Sequence, residues 1–248
     1  MDLFAGPGAY EDGSFSIPFL VLQELCANST LAGKFNVLFN DNRKKYISKL
    51  RKALNGFKNI SDLKLLMTAS ETISNRLPAK FTGLNLDNSF VFIDAWGYQG
   101  INRDYIRSLL KMPNCSIALF FNINQIPRFI TSKRYDFKKL FGNVFDKNSI
   151  NKIESDYSKV QSGCKERFML DLYMSGLTAR IKDCFIIPFR FCRNSSMRTS
   201  HYMIFIVRSQ KQYDELSKKL ILTAECPLKQ FCRSQKCKEL RIKCARQM

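Results

Sequence analysis

The chain begins with MDLFAGPG, residues 1–8, and these residues decide the fold. Asp2 stands among apolar residues, as at the end of a buried strand, and a turn with Gly6 and Gly8 follows directly. Glycine has no Cβ, so it lets the backbone turn sharply and approach a ligand closely. The third glycine of G-x-G-x-x-G is missing, which argues against a dinucleotide-binding turn. The segment predicts a Rossmann-like strand whose turn faces a small ligand.

The acid four positions before the first glycine indicates which ligand. Asp2, Phe4, Gly6 and Gly8 form the pattern D-x-F-x-G-x-G, which is typical of S-adenosylmethionine (SAM) methyltransferases. SAM has no pyrophosphate for a helix N-terminus to hold, whereas a carboxylate suits its ammonium group. We therefore expect these four residues to bind SAM as the cofactor. The alternative is an ordinary turn from a strand into a helix.

Apolar runs and helical periodicities alternate along the next part of the chain. Strands are predicted at 35–39, 63–68, 89–94 and 116–121, and helices at 18–26, 43–57 and 101–110. Several of these strands end at an acid or an amide. Such alternation predicts an α/β fold with a mostly parallel, doubly wound sheet, whose ligands lie beyond the carboxyl ends of the strands.

The last third of the domain departs from this alternation. Residues 125–182 predict a helical insertion, and strands at 184–191 and 202–207 follow, joined by a basic turn at 192–198. So short a connection requires antiparallel pairing. A parallel sheet that closes with an antiparallel hairpin indicates a Rossmann-like class I methyltransferase fold. A final helix is predicted at 213–222.

Three of the remaining candidate residues lie at the end of the strand at 89–94 and in the loop that follows it. They resemble the Asp/Asn-Pro-Pro-aromatic loop of amino-methyltransferases, although the prolines are missing here. The resemblance implies that Asp94 and a backbone carbonyl accept hydrogen bonds from a target amine, while the aromatic residues Trp96 and Tyr98 stack on or orient the acceptor. Asp94, Trp96 and Tyr98 are therefore the predicted catalytic residues. The alternative is that Asp94 caps the next helix and Trp96 packs in the core.

Asp41 ends the strand predicted at 35–39. A carboxylate at this place can accept both hydroxyls of a ribose, so Asp41 is added to the predicted cofactor-binding residues. The alternative is a turn residue, because Asn-Asp-Asn clusters favour turns.

Four stretches together resemble the three-Cys-motif partner proteins, TcmP: residues 2–13, 90–98, 120–124 and 201–205. The resemblance implies a class I methyltransferase-like fold, a place on bacterial mobile elements, a link to phage defence and a partner protein that bears the three cysteines. The chain departs from the family by Ala95, where proline is usual. It also starts at the last residues of the first strand, so we expect a truncated first strand with unpaired backbone groups on both neighbouring strands. The two explanations are more chain upstream and a degraded copy that binds SAM poorly.

The charge favours a polyanion as partner. Forty Lys and Arg against 21 Asp and Glu give a formal charge of +19, so nucleic acid, or an assembly that carries it, is the expected target. AT-rich coding and a solvated surface are the alternative source of this excess. Without an apolar run of about 20 residues or a signal-peptide pattern, we expect a cytoplasmic protein and no membrane partner.

Cysteines and the single histidine offer little chemistry. Cys26, Cys115, Cys184 and Cys192 lie in or beside apolar segments and are expected to pack as small hydrophobic residues. Cys226, Cys232, Cys237 and Cys244 have spacings that fit zinc poorly, so no metal site is predicted. His201 is expected at the surface or at a cap. The predicted organisation is a domain of residues 1–222 followed by a basic tail, 223–248.

Overall fold

A computed structural model of the chain describes residues 1–10, 14–73, 81, 84, 86–95, 97–98, 100–132, 134–193 and 196–223. The helices are Ile17–Cys26 (α1), Ser29–Ala32 (α2), Lys44–Leu54 (α3), Arg103–Leu110 (α4), Ile126–Ile130 (α5), Phe137–Phe141 (α6), Lys147–Asp156 (α7), Lys165–Thr178 (α8) and Gln210–Thr223 (α9). The strands are Asn36–Asn40 (β1), Leu65–Ala69 (β2), Phe90–Ile93 (β3), Ser116–Phe121 (β4), Phe185–Arg193 (β5) and Ser196–Val207 (β6).

The first five residues join two groups of strands. On one side the Asp2 amide donates to Leu38 O of β1 at 2.8 Å, and Asn40 N donates back to Asp2 O at 2.9 Å. On the other side Leu3 N donates to Phe92 O of β3 at 3.1 Å. The expected loss of pairing on both neighbours was therefore wrong for Leu38, Asn40 and Phe92, because this short segment occupies the place of the first strand.

The strand order across the sheet is β2, β1, the segment at Asp2, β3, β4, β6 and β5. β1 and β2 are parallel, as are β3 and β4, whereas β6 is antiparallel to both β4 and β5. The bridges from Asp2 to Phe39 and Phe92 are also parallel. This arrangement confirms the predicted fold, an α/β fold of the Rossmann-like methyltransferase type closed by an antiparallel hairpin.

Helices cover both faces of the sheet, as a doubly wound fold requires. Successive residues of β1 point to opposite faces: Val37 and Phe39 pack with α1 and α3, whereas Leu38 belongs to the larger core. That core also contains the apolar faces of α4 and α8. In α3 the buried residues Ile47, Leu50 and Leu54 recur at helical spacing, which is why the sequence predicts this helix well.

Four helices, α5, α6, α7 and α8, lie within residues 125–182, the segment predicted as a helical insertion. The predicted basic turn was too long: β5 continues to Arg193 and β6 begins at Ser196. The pairing register shifts at Phe191, Cys192 and Arg193. Because of this irregularity and the polar side chains, the ends of β5 and β6 show no alternation of apolar residues, so the sequence pattern did not predict them.

Residues Met1–Arg208 form one compact unit, and a second begins at Ser209 and contains α9. The division into a domain of residues 1–222 and a tail at 223–248 stays a prediction, and the four tail cysteines lie outside the described residues. In the part of the chain that the structure describes, none of the helices is long and apolar enough to cross a membrane.

Candidate functional site

Three carboxylates lie in or directly after three adjacent segments of the sheet. Asp2 belongs to the central segment, Asp41 follows β1 and Asp94 follows β3. The pKa of Asp2 is raised to about 7, mainly by burial and to a smaller extent by the nearby carboxylates of Asp94 and Asp41. The hydrogen bond from Phe4 N to Asp2 Oδ1, 2.9 Å long, and the positive N-terminus act in the opposite direction. The fold thus brings together three acids that lie far apart in the sequence.

The glycine turn is fastened to Asp41. Gly6 N donates to Asp41 Oδ2 at 3.2 Å, and Arg43 contributes its backbone N at 2.9 Å and its Nε at 3.4 Å to Oδ1. Only 5% of the Asp41 side chain is exposed. Asp41 therefore positions the glycine turn. The alternative prediction, that Asp41 is a turn residue, describes this part of its role.

The two glycines of the turn do different work. Gly6 has φ +68° and a Cβ at this position would meet no atom within 4 Å, so its open side can receive a ligand. Gly8 has φ +93°, and a Cβ there would lie 2.4 Å from Phe19 Cε2 and 2.9 Å from Leu50 Cδ1. Gly8 is thus required by the packing of α1 and α3 against the turn.

A cavity of about 390 Å³ includes Tyr10, which follows the glycine turn, but its lining contains none of the five predicted cofactor-binding residues. It is lined by Tyr10, Asp94, Ala95, Gly97, Tyr98, Ile101, Phe120, Asn122 and Gln125. Burial raises the pKa of Asp94, so this carboxyl group accepts a proton more readily than an exposed aspartate does. The site therefore combines a protonatable carboxyl group with aromatic walls.

Tyr98 is fixed within this cavity. Its hydroxyl donates to the backbone O of Asn122, and its ring packs edge-on against Phe141 at 4.8 Å between centroids. Burial raises the pKa of Tyr98, which keeps the hydroxyl protonated as a donor. The predicted catalytic residues Asp94 and Tyr98 therefore share one cavity, whereas Trp96 lies outside the described residues.

The loop after β3 packs tightly against the glycine-turn segment. A Cβ on Gly100 would lie 2.4 Å from Ala95 Cβ and 2.8 Å from Phe4 Cζ. Phe4, predicted to bind the cofactor, thus contacts the loop that carries Asp94. The predicted alternative role of Asp94 as a helix cap is wrong, because the side chain of Asn102 caps α4 by accepting from Asp104 N at 2.8 Å.

The polar residues after β4 hold the backbone. Asn122 Oδ1 accepts from Asn124 N at 3.2 Å, and Asn124 Nδ2 donates to the carbonyls of Thr199 and Ser200 in β6. His201 lies between the rings of Phe120 and Phe191, both at 4.5 Å between centroids, and burial lowers its pKa. The prediction of a surface or capping histidine missed this aromatic environment.

A polar network behind the hairpin was also missed. Glu166 of α8 accepts from Thr199 Oγ1 and from the Tyr202 hydroxyl, each at 2.6 Å, and Arg190 Nε lies 3.6 Å from the same oxygen. These contacts join Glu166 to residues of the hairpin that are remote in the sequence, so no local pattern in the sequence indicates them. Within the described residues, His, Cys, Asp and Glu form no group of three or more that could hold a metal ion.

Neither a protein-family model nor a curated protein matches the sequence. Among solved structures, the methyltransferase domain of bacterial CtHen1-C is similar to this chain with a TM-score of 0.45 and 8% identity, over 84% of this chain and 88% of that one. An O-methyltransferase from Bacillus cereus in complex with SAH is similar with a TM-score of 0.36 and 11% identity, over 76% and 77% of the two chains. The assignment of the fold rests on the strand order given above.

Proposed function

We propose that the chain binds SAM at the glycine turn and transfers its methyl group to an acceptor in the cavity beside Asp94. One observation carries this proposal: the carboxylates of Asp41 and Asp94 lie close enough to the buried Asp2 to raise its pKa, and Asp41 also accepts from Gly6 N, at the carboxyl edge of a sheet of the methyltransferase type. Ligands of open α/β sheets bind at this edge. SAM, when bound, supplies a methyl group made electrophilic by the sulfonium.

The residues around the turn fit this cofactor. The open side of Gly6 leaves room for a ligand against the backbone, and the acids suit its ammonium and ribose hydroxyl groups. Asp41 already accepts three hydrogen bonds, whereas a carboxylate accepts roughly four. The longest of the three, at 3.4 Å, comes from Arg43 Nε, whose side chain is 52% exposed. Arg43 can therefore leave and free Asp41 for a ribose.

Asp94 orients the acceptor in this proposal. Its carboxylate accepts a hydrogen bond from the attacking amine or hydroxyl and takes up the proton that the acceptor loses when it is methylated. The raised pKa of Asp94 favours this uptake. Tyr98 and Trp96 complete the predicted acceptor site, where positioning contributes most of the rate.

The proposed target is nucleic acid or an assembly that carries it, supported by the formal charge of +19. A partner with three cysteines, a role in phage defence and a cytoplasmic location follow from the sequence resemblance and composition alone, and they stay predictions.

A second candidate is a subunit that keeps the fold without catalysis and binds a partner protein and nucleic acid. It is favoured by the three hydrogen bonds that Asp41 accepts from Gly6 and Arg43, because they give this carboxylate a structural role in the turn.

Calorimetric titration with SAM tests the proposal. We expect binding by the wild-type protein and at least roughly tenfold weaker binding by Gly6→Ala, because alanine is strained at φ +68° and its methyl group fills the open side of the turn. Asp41→Asn should also weaken binding, since it removes the charge that holds the turn.

Gly163→Ala is the matched control, since Gly163 also faces open space but has no positive φ. Equal SAM affinity of Gly6→Ala and Gly163→Ala would contradict the proposed site. A folded wild-type protein that binds no SAM would support the non-catalytic subunit.

A further inference from the structure

Aromatic rings form a continuous row across three strands at the edge of the sheet that carries the candidate site. Phe120 of β4, His201 of β6 and Phe191 of β5 follow one another, with 4.5 Å between the centroids of each adjacent pair. The planes of His201 and Phe191 are only 16° apart. We name these three residues the aromatic row.

The aromatic row lies on the face of β6 that points away from α8. Side chains alternate along a strand, and Tyr202 and Ile204 are buried on the α8 side, whereas His201 and Met203 are partly exposed. Phe191, paired with His201, is 39% exposed. The rings are therefore accessible at the surface.

One end of the row reaches the candidate site, and the other reaches positive charge. Phe120 lines the cavity that contains Asp94. Beyond Phe191, Arg193 of β5 and Arg198 of β6 are exposed, and neither pairs with a carboxylate among the described residues. A ligand that follows the row from the hairpin would arrive at Asp94.

We propose that the aromatic row and the two arginines bind single-stranded nucleic acid and lead one of its bases to the cavity. His201 is sandwiched in the middle of the row, so the rings at its two ends, Phe120 and Phe191, are the ones that stack on unpaired bases of any sequence, and the arginines neutralise the phosphates between the bases. An apolar protein surface is a poorer match as ligand, because it would contact the rings but not the two positive charges of Arg193 and Arg198. A duplex keeps its bases stacked on one another and cannot use the rings. The lowered pKa of His201 keeps its ring neutral, so it stacks as an aromatic ring at neutral pH. The route to Asp94 rests on the proposed function, whereas the binding does not.

Fluorescence anisotropy with labelled oligonucleotides of about 12 nucleotides, within the ~4–16 typical of such surfaces, tests this inference without SAM. The probes are oligo-U, oligo-dT and a duplex of the same length. We expect Phe191→Leu to weaken binding of both single strands roughly tenfold, because leucine keeps the apolar volume but removes the stacking face. Duplex binding should not change.

Phe90→Leu is the matched control. Phe90 is 52% exposed and lies at the start of β3, at the end of the strands opposite to the candidate site. Arg193→Gln should instead lower the dependence of single-strand affinity on salt by about 0.7 in the slope of log K against log salt. Equal losses of single-strand affinity for Phe191→Leu and Phe90→Leu would overturn the inference, and so would equal affinity of the wild type for single strands and duplex. It would also be overturned by an acidic peptide that competes with the oligonucleotide and whose binding is weakened as much by Phe191→Leu.

SAM titration of the same variants separates the two proposals. Phe191→Leu should bind SAM as the wild type does. If single strands bind through Phe191 while SAM does not bind at all, the aromatic row stands and the methyltransferase proposal fails. If SAM binds and Phe191→Leu does not change the affinity for the oligonucleotides, the aromatic row fails as a binding surface and the methyltransferase proposal stands.

Discussion

Replacement of Gly8 by alanine is expected to lower the free energy of unfolding by about 3 kcal/mol. Two costs add. An L-residue at φ +93° is strained by roughly 1–2 kcal/mol, and the new methyl group overlaps the buried side chains of Phe19 and Leu50, which costs about 1–3 kcal/mol. Urea unfolding should show a lower midpoint with an unchanged slope.

Gly6→Ala isolates the strain from the overlap, because Gly6 also has a positive φ but open space at its Cβ. It should lose only about 1–2 kcal/mol. If Gly8→Ala fails to fold, Gly8→Ala combined with Phe19→Leu should recover a folded protein, since leucine lacks the ring atom nearest to the new methyl group. Similar losses for Gly8→Ala and Gly6→Ala would contradict the packing role of Gly8.

Asp2→Asn is expected to make the protein more stable at neutral pH and to change how stability depends on pH. The pKa of Asp2 is about 7 in the fold, against 3.8 for an ordinary aspartate. Between about pH 4 and 7 the unfolded chain releases this proton while the folded chain keeps it, so wild-type stability falls as pH rises. At about 1.36 kcal/mol per pKa unit, the fall approaches about 4 kcal/mol. Asparagine cannot ionise, so the variant escapes this loss.

The measurement is urea unfolding of both proteins from about pH 4 to 8, plotted as the difference between variant and wild type. Subtraction removes most of the contribution of other groups, although Met1, Asp94 and Asp41 face Asp2 and their charges remain. Asp104→Asn is the control, because the Asp104 side chain is 65% exposed. A difference between Asp2→Asn and wild type that is flat across this range would show that Asp2 is ionised in the fold.

Local patterns predicted most elements. β4 has the bounds predicted from its unbroken apolar run, Ser116–Phe121, and α3 follows from buried residues at helical spacing. The turn at Gly6 and Gly8 was found because a strand followed by closely spaced glycines is a feature of neighbouring residues. The end of β5 was missed because Cys192 and Arg193 pair through their backbone with Thr199 and Ser196 across the hairpin, and backbone pairing between residues that are not apolar leaves no alternation of apolar residues in the sequence.

The candidate site was predicted in part. Asp94 and Tyr98 were chosen as residues at a strand end, and the structure places both in one cavity. Tyr10, Phe120 and Gln125, which line the same cavity, were missed as site residues because each has an ordinary local environment in the sequence. Only the order of the strands brings them together.

Local patterns in the sequence indicated the type of most segments and the strand ends where Asp41 and Asp94 stand, because periodicity, strand ends and glycine turns depend on residues a few positions apart. The tertiary structure alone decided that Asp41 holds Gly6, that Gly8 makes room for α1 and α3, and that Phe120, His201 and Phe191 form one row. These features depend on distances between residues that are remote in the chain. Such distances are set by strand order and packing, which no local pattern records.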